Sequence, residues 1–335
     1  MTEELFVTAR SNELIDPGLH IWTWEVAMYL FMGGLTAGVM IFAALAIARG
    51  KEEVAPFAAT RLALFAPILL SIGMTTVFLD LEHKLYVYRF YTAFKITSPM
   101  SWGAWSLIIV YPISVRQILS RVRAGYPALA SLVDKLAIGR SAVDWCERYR
   151  MQIALSVIPF AVALGIYTGI LLSAFGARPF WNSGVLGILF LVSGMSTAAA
   201  MVVLVAKQHG EKALFTRIDL VLILAEIGLV ALMLISLASG SGQHIDALQS
   251  VMGGPYTLEF WLFFVCIGLL IPLLLETLEI SGVSKSLAML APVLVIIGGY
   301  ALRQVVLDAG QESTWTHYET QYSSELLERL HEENP

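Results

Sequence analysis

Two places in the sequence combine residue types that could move protons. His20 stands at the mouth of the apolar stretch "HIWTWEVAMYLFMGGLTAG", with Glu25 about a turn later. A histidine can donate hydrogen bonds and can pass protons near neutral pH. Glu226 lies in the middle of "LVLILAEIGLVALML", and ionisable groups inside a membrane are expensive and often functional. It is either a carboxyl kept protonated or bonded to a neighbouring helix, or a proton relay that begins at Asp219.

Three further carboxyl groups lie at the ends of apolar stretches. Asp80 directly follows the apolar stretch Pro56–Leu79 and stands beside Glu82, His83 and Lys84. A salt bridge or a helix cap is the structural interpretation of Asp80, and a proton exit is the functional one. Glu276 and Glu279 follow the apolar stretch Leu258–Leu275, and we expect both to be solvated.

The elements that must position these residues are membrane-spanning helices. The chain of 335 residues is 57% hydrophobic and only 14% charged, with a mean hydropathy of +0.73, whereas soluble domains carry about a quarter charged residues. A helix crosses a bilayer with about 20 mostly apolar residues. Eight segments meet that requirement and predict an all-α, polytopic membrane protein. They are Trp22–Ala48, Pro56–Leu79, Ser98–Leu119, Ile153–Phe175, Gly184–Ala206, Leu220–Leu237, Leu258–Leu275 and Leu287–Leu307.

Two short motifs indicate how the eight helices are arranged. "GGLTAG" at Gly33–Gly38 and "SGMSTA" at Ser193–Ala198 occupy the same point of the first and fifth helices. This echo predicts two four-helix bundles that arose by duplication. Gly34 and Gly38 form a GxxxG pair, which lets helices approach closely in membranes.

The distribution of charge predicts the orientation and the extramembrane parts. Most of the 21 Lys and Arg fall in the inner loops if the N-terminus lies outside, so the positive-inside rule places both termini on the outer face. We expect a transmembrane domain over residues 1–307 and an acidic outer tail over residues 308–335. The inner loop, residues 120–151, reads either as an amphipathic helix on the anionic lipid leaflet or as a docking surface. A net charge of −5 argues against nucleic acid as a partner.

The histidines and cysteines limit the possible cofactors. Haem b needs axial histidines that face each other within helices, and none of the six histidines falls in mid-membrane. Cys146 and Cys266, the only two cysteines, cannot supply a cysteine-ligated cluster. No pair of histidines has a zinc-ligand spacing such as His-x3-His. We therefore expect no haem, no iron–sulfur cluster and no metal in this chain.

Three stretches carry a resemblance to a known family. They are "YLFMGGLTAG" in helix one, the Asp80–Leu81 pair with the "SPMSWG" turn at 98–103, and the Tyr167-Thr168-Gly169 run in helix four. Together they resemble the NrfD/PsrC family, the membrane subunits of polysulfide, nitrite, tetrathionate and related respiratory reductases. The motifs cover residues 20–200, and beyond them only helix count and hydropathy match.

The resemblance implies a quinone-reactive subunit without cofactors of its own. In the polysulfide-reductase branch, a histidine and an asparagine at the start of helix one and a tyrosine in helix four hold the quinone ring. Carried over, the histidine falls on His20 and the tyrosine on Tyr167. The asparagine has no counterpart here, and Asp16 is the substitute candidate.

We hypothesise that His20, Glu25 and Tyr167 line one quinone cavity, with Glu25, Asp80 and Glu226 as proton-transfer candidates. Tyr167 lies about 12 Å below the predicted outer end of helix four. The hypothesis therefore needs a shift of one helix or a kink, for which Gly165 and Gly169 are the candidates.

The resemblance also implies partners. A subunit of this kind, in a prokaryotic inner membrane, exchanges electrons between quinone (menaquinone or ubiquinone) and an outer-face, four-cluster ferredoxin-like subunit. We expect menaquinol oxidation and a terminal subunit with molybdenum or several haems. The basic, aromatic segment Leu81–Lys95 is the predicted docking site for the iron–sulfur partner.

A secondary transporter and a purely structural membrane anchor are the alternatives. Against a transporter, which would bind a solute with broken helices and midplane charges, the outer polar groups lack a paired charge at depth apart from Glu226.

Overall fold

The computed structural model describes residues 22–282 and 289–314, and within these ranges all regular structure is helical. We label the eight long helices α1 to α8 in chain order: Trp24–Ala48, Phe65–Asp80, Pro99–Leu119, Arg150–Ser173, Leu186–Val205, His209–Ala238, Glu259–Ile280 and Leu290–Glu312. The first part of α7, Glu259–Leu270, is π-helical. Shorter helices are Pro56–Thr60, Leu62–Leu64, Lys84–Tyr86, Arg89–Thr92, Val122–Gly125, Pro127–Val133, Ala137–Arg148 and Gly242–Gln249.

The long helices confirm the all-α, polytopic prediction. In the described ranges, seven helices are long and apolar enough to cross a membrane. The helix outside this set is α3, which forms where predicted but is less apolar because Arg116 and Gln117 lie in its last turns. Hydropathy thus identifies seven spans in the described ranges rather than the predicted eight.

Helix α6 begins well before the predicted start at Leu220. Its first turn carries Glu211, which is completely buried. The Glu211 carboxylate accepts hydrogen bonds from the backbone N–H groups of Phe57 and Ala58, at 3.1 and 2.9 Å. These donors lie in the first turn of the short helix Pro56–Thr60 and have no partner within it. The polar start of α6 therefore acts as a cap for another helix.

The two echoed motifs pack directly on each other at the centre of the molecule. Helices α1 and α5 cross at Gly34, Gly38 and Gly194. A Cβ atom on Gly38 would lie 2.5 Å from the carbonyl oxygen of Gly194, closer than any real side chain could sit. The glycines are therefore required by the close approach of two backbones, as the GxxxG pair predicts.

The described ends of the chain meet at one end of the bundle. The Trp22 backbone N–H donates to Gln311 Oε1 at 2.8 Å, and Gln311 Nε2 donates to the Trp22 carbonyl at 2.7 Å. Trp181, in the loop after α4, stacks on Trp22 and donates to the Val306 carbonyl at 2.7 Å. The start of α1 and the end of α8 therefore lie on the same side.

At the other end of the bundle, the loop between α3 and α4 is held by Arg123. Its guanidinium pairs with Asp134, Asp144 and Glu147 at 2.7–2.9 Å. These hydrogen bonds hold the pKa of the Asp134 carboxyl below its ordinary value. The loop leaves apolar side chains in solvent, and Ile138 is 87% exposed.

Candidate functional site

An apolar cavity of about 100 Å³ lies among α1, α2, α3 and α4 and the segment that follows α2. Aliphatic and aromatic side chains form most of its wall, such as Phe78 and Leu107. Among the described residues, its side-chain polar atoms come from three tyrosines, Tyr29, Tyr91 and Tyr167. An apolar slot with a few hydroxyl groups suits a flat apolar ring that carries carbonyl oxygens.

Tyr167 reaches from α4 to the first turn of α3. Its side chain is 8% exposed, and its hydroxyl donates to the Pro99 carbonyl at 3.0 Å. The phenol oxygen also faces the backbone N–H of Gly103. A Cβ atom on Gly103 would overlap this hydroxyl, so the glycine makes room for the tyrosine. The phenol lies against the cavity, but its proton is engaged.

Tyr29 and Tyr91 offer the uncommitted donors. Within the described residues, neither hydroxyl makes a hydrogen bond to a protein group, although both side chains line the cavity. Burial, with a smaller contribution from Tyr111, raises the pKa of the Tyr91 phenol above its ordinary value. Tyr91 therefore keeps its proton at neutral pH and can donate it to a ligand carbonyl.

The sequence analysis missed both of these tyrosines. Tyr29 lies one helical turn after Glu25 on α1, and Tyr91 lies in a short helix between α2 and α3. A tyrosine among apolar neighbours looks like a core residue, and only the fold turns these two toward one space. The i, i+4 spacing of Glu25 and Tyr29 was the available signal.

The other residues predicted for this site lie around the cavity or beyond the described ranges. Glu25 accepts a hydrogen bond from Thr23 in the first turn of α1. Asp80 ends α2, within electrostatic reach of Glu25. Neither carboxyl is part of the cavity wall. His20 and Asp16 lie outside the described residues.

The glycines suggested as a kink in α4 serve helix packing instead. Helix α4 runs without interruption from Arg150 to Ser173. A Cβ atom on Gly165 would lie 2.5 Å from Leu191 Cδ1, and one on Gly169 would overlap the Leu186 carbonyl. These positions allow α4 and α5 to approach closely. Tyr167 reaches the first turn of α3 from this continuous helix.

A second polar cluster is buried in the other half of the molecule, around Arg303 in the middle of α8. Arg303 is completely buried and donates to Ser193 Oγ at 2.6 Å and to the carbonyls of Gly299 and Phe190 at 2.7 and 2.9 Å. Ser193 in turn bonds Glu226, which is 2% exposed. Glu226, the exception that the sequence analysis made among the polar groups at depth, therefore has a buried counter-charge in Arg303.

This cluster continues toward the opposite end through two more carboxyl groups. Ser196 donates to Asp219 at 2.5 Å. Asp219 and Glu276 lie within hydrogen-bonding reach of each other, and each has a buried oxygen without a donor among the described residues. A proton held by one carboxyl would satisfy both. Glu276 is 2% exposed, so its predicted solvation is wrong: α6 packs over this face of α7.

Comparison with known proteins assigns the chain to a family. The family model described as polysulphide reductase, NrfD, matches residues 11–314. The chain belongs to the NrfD family. The resemblance noted over residues 20–200 is thus confirmed and extends across nearly the whole chain. Together with the seven apolar helices, family membership makes this NrfD protein a multi-pass protein of the bacterial inner membrane.

Individual relatives of this NrfD protein match along most of their length. A chain of the polysulfide reductase of Wolinella succinogenes is 28% identical over 306 residues, which span 87% of this protein and 94% of the relative. Protein NrfD of Escherichia coli is also 28% identical, over 87% of this protein and 95% of its own length. A subunit of the selenate reductase of Mesobacillus selenatarsenatis is 25% identical, over 92% of this protein and 80% of the relative's length.

Proposed function

We propose that this NrfD protein is the membrane subunit of a respiratory oxidoreductase complex and reacts with quinone in the cavity among α1–α4. The subunit takes two electrons from menaquinol, passes them to an iron–sulfur subunit on the outer face, and releases two protons. The observation that carries the proposal is the cavity itself, an apolar slot whose side-chain hydroxyl groups belong to three tyrosines. Two relatives, named as parts of a polysulfide reductase and of a selenate reductase, support a role within a larger complex.

The geometry gives the tyrosines different roles in binding. The hydroxyls of Tyr29 and Tyr91 have no hydrogen-bond partner among the described residues, and they donate to the two carbonyl oxygens of the quinone. Tyr167 is engaged with Pro99 and forms the wall against which the ring packs. His20 and Asp16, carried over from the resemblance, complete the outer side of the site. Quinone is a substrate here, and no haem, cluster or metal is assigned to this chain.

The proton released at the cavity needs a route to the surface. Glu25 and Asp80 lie near each other at the same end of α1 and α2. We assign them to proton exit on the outer side. Glu226, with Asp219 and Glu276 behind it, forms a separate relay from the inner side. The relay is supported by two buried serines of α5 that stand three residues apart, one bonded to Glu226 and the other to Asp219, and by the closeness of Asp219 to Glu276.

The topology proposed for this function has eight spans in two four-helix bundles, with both termini outside. Two observations support it. The start of α1 and the end of α8 meet through Trp22 and Gln311, and helices that begin and end on one side cross an even number of times. Helix α3 then crosses as the eighth span. The basic residues favour the loop held by Arg123 as the inner side.

The segment between α2 and α3 is the proposed contact surface for the iron–sulfur subunit. It lies beside the cavity, and Val87, Phe90 and Tyr91 belong to the cavity wall. Several of its apolar side chains are exposed, with Leu85 at 89% and Ile96 at 70%. Exposed apolar groups of this kind mark interaction surfaces. A bound partner here would receive electrons close to the ring. A molybdenum-containing or multihaem subunit would complete the complex.

Binding of a quinol analogue to the purified complex tests the proposal. We expect a hydroxyquinoline N-oxide to bind saturably to the wild type. Tyr29→Phe and Tyr91→Phe should each weaken this binding about two- to tenfold, because each variant removes one hydrogen bond worth about 0.5–1.5 kcal/mol. Tyr149→Phe, in the inner loop, is the matched control and should leave affinity unchanged.

The same titration separates the alternatives. The Arg303–Ser193–Glu226 chain would also suit a secondary transporter, and a structural anchor needs no ligand at all. Both alternatives predict no saturable binding of the analogue. Equal affinities in the wild type and in both cavity variants would remove the proposed site.

A further inference from the structure

A second concave feature lies on α2, toward the middle of the helix from the cavity. It is an open groove of about 550 Å³, lined by Pro67, Ile68, Ser71, Ile72, Thr75 and Thr76. Ile68 and Ile72 are nearly half exposed. The groove faces outward from a helix that crosses the membrane, so it is open to the lipid phase rather than to water.

The groove contains hydroxyl groups, but the protein itself uses them. Ser71 donates to the Pro67 carbonyl at 2.7 Å, Thr75 to the Ser71 carbonyl at 2.8 Å and Thr76 to the Gly73 carbonyl at 2.8 Å. Back-bonding of this kind removes serine and threonine donors from the helix surface. The groove therefore offers no uncommitted side-chain donor and presents hydrocarbon to whatever lies in it.

The groove and the cavity adjoin on α2. Ser71 lines the groove, whereas Met74 and Phe78 line the cavity. These residues stand at i, i+3 and i+7, which places them on one face of the helix. Ser71 stands at the edge of the groove that borders α3, because its hydroxyl lies 3.0 Å from the Tyr111 hydroxyl. A molecule in the cavity could extend along this face into the groove.

We propose that the groove is the binding path for the polyprenyl tail of the quinone, with the ring in the cavity and the tail lying along α2 toward the lipid. The inference rests on the proposed quinone function and adds a subsite to it. A tail in the groove has hydrocarbon on the protein side and lipid on the other, so its position is set by shape more than by affinity. Blocking the groove would then exclude tailed quinones and spare the bare ring.

The test compares two ligands on the complex in detergent micelles. A bare naphthoquinone and the same ring with a polyprenyl tail each displace a bound hydroxyquinoline N-oxide. In Ile72→Trp, whose indole fills the groove, we expect the affinity for the tailed ligand to fall at least tenfold and that for the bare ring to stay unchanged. Thr75→Trp is a second, independent block. Val221→Trp, on the exposed face of α6, is the matched control and should change neither affinity.

Each outcome has a distinct meaning. If both groove variants affect both ligands equally, or neither ligand, the groove is not the tail path and the proposal is overturned while the cavity stands. If the bare ring shows no saturable binding to the wild type, the quinone function itself fails and the groove proposal falls with it. A tail-selective loss in both groove variants, absent from the α6 control, supports the proposal.

Discussion

Substitution of Gly103 by alanine gives the sharpest local test of how the cavity is built. The added methyl group would overlap the Tyr167 hydroxyl, so either the phenol leaves its position or α3 moves away. Overpacking a buried contact costs about 1–3 kcal/mol, and the lost hydrogen bond to Pro99 costs about 0.5–1.5 kcal/mol. Alanine stabilises a helix by about 0.5–1 kcal/mol relative to glycine, which offsets part of this loss. The net loss of stability is about 2 kcal/mol, within limits of about 0.5 and 4 kcal/mol.

The same substitution should weaken ligand binding, because Gly103 and Tyr167 both line the cavity. A cost of about 1–3 kcal/mol in the bound state corresponds to an affinity about 5- to 150-fold lower. The assays are thermal unfolding in detergent and titration with a hydroxyquinoline N-oxide. Gly228→Ala is the matched control, since this helical glycine of α6 has open space where a Cβ would stand. It should be neutral or slightly stabilising. Equal stability and equal affinity in the two variants would refute the reasoning.

Three further predictions concern the rest of the fold. Gly38→Ala should destabilise the protein by about 1–3 kcal/mol, measured by thermal unfolding, because its methyl group meets the α5 backbone; stability equal to wild type would contradict the crossing. Arg303→Leu should destabilise by about 3–5 kcal/mol, and Arg303→Leu/Glu226→Leu by less, since the double variant leaves no lone charge; additive losses would contradict their coupling. The Asp134 carboxyl has a depressed pKa beside Arg123. Its contribution to the stability of the inner loop is therefore fully present above its unfolded pKa near 3.8 and is lost as pH falls through the lower folded pKa. Hydrogen exchange of the inner loop, corrected for intrinsic rate, should rise over that pH range in wild type and show no such step in Asp134→Asn.

Much of the helical framework could be predicted from hydropathy because lipid demands long apolar segments whatever their neighbours are. Close helix packing at Gly34 and Gly38 was also visible, since small residues at fixed spacing allow close approach, but the sequence did not identify α5 as the partner. The start of α6 was not visible. The segment around Glu211 is polar, and its helical state depends on capping a distant turn.

The polar interior shows where sequence reasoning ends. Glu226 could be identified as a charge in an apolar stretch, but Arg303 lies near enough to the end of its segment to look like a residue that reaches the surface. Its burial depends on Gly34 and Gly299, which leave room for the guanidinium between α1, α5 and α8. Glu276 was misjudged for the same reason, because only the packing of α6 on α7 removes it from water.

The candidate cavity was predicted in part. Tyr167 was found through the resemblance, whereas Tyr29 and Tyr91 become candidates only when α1 and the segment after α2 are brought to the same space. No periodic pattern links positions so far apart in the chain. The predicted roles of the site residues stay predictions: His20, Asp16 and Tyr167 in binding quinone, and Glu25, Asp80 and Glu226 in proton transfer.

Photo-crosslinking tests the central claim most directly, because it reports where a quinone lies in the intact complex. A light-activated azido-naphthoquinone is bound to the complex and the labelled peptides are mapped with and without excess hydroxyquinoline N-oxide. The account predicts labelling that the excess analogue suppresses, located on the cavity walls at residues 74–81, 87–91, 100–107 and 167–171. Suppressible labelling confined to α6, α7 and α8 or to a partner subunit would contradict it.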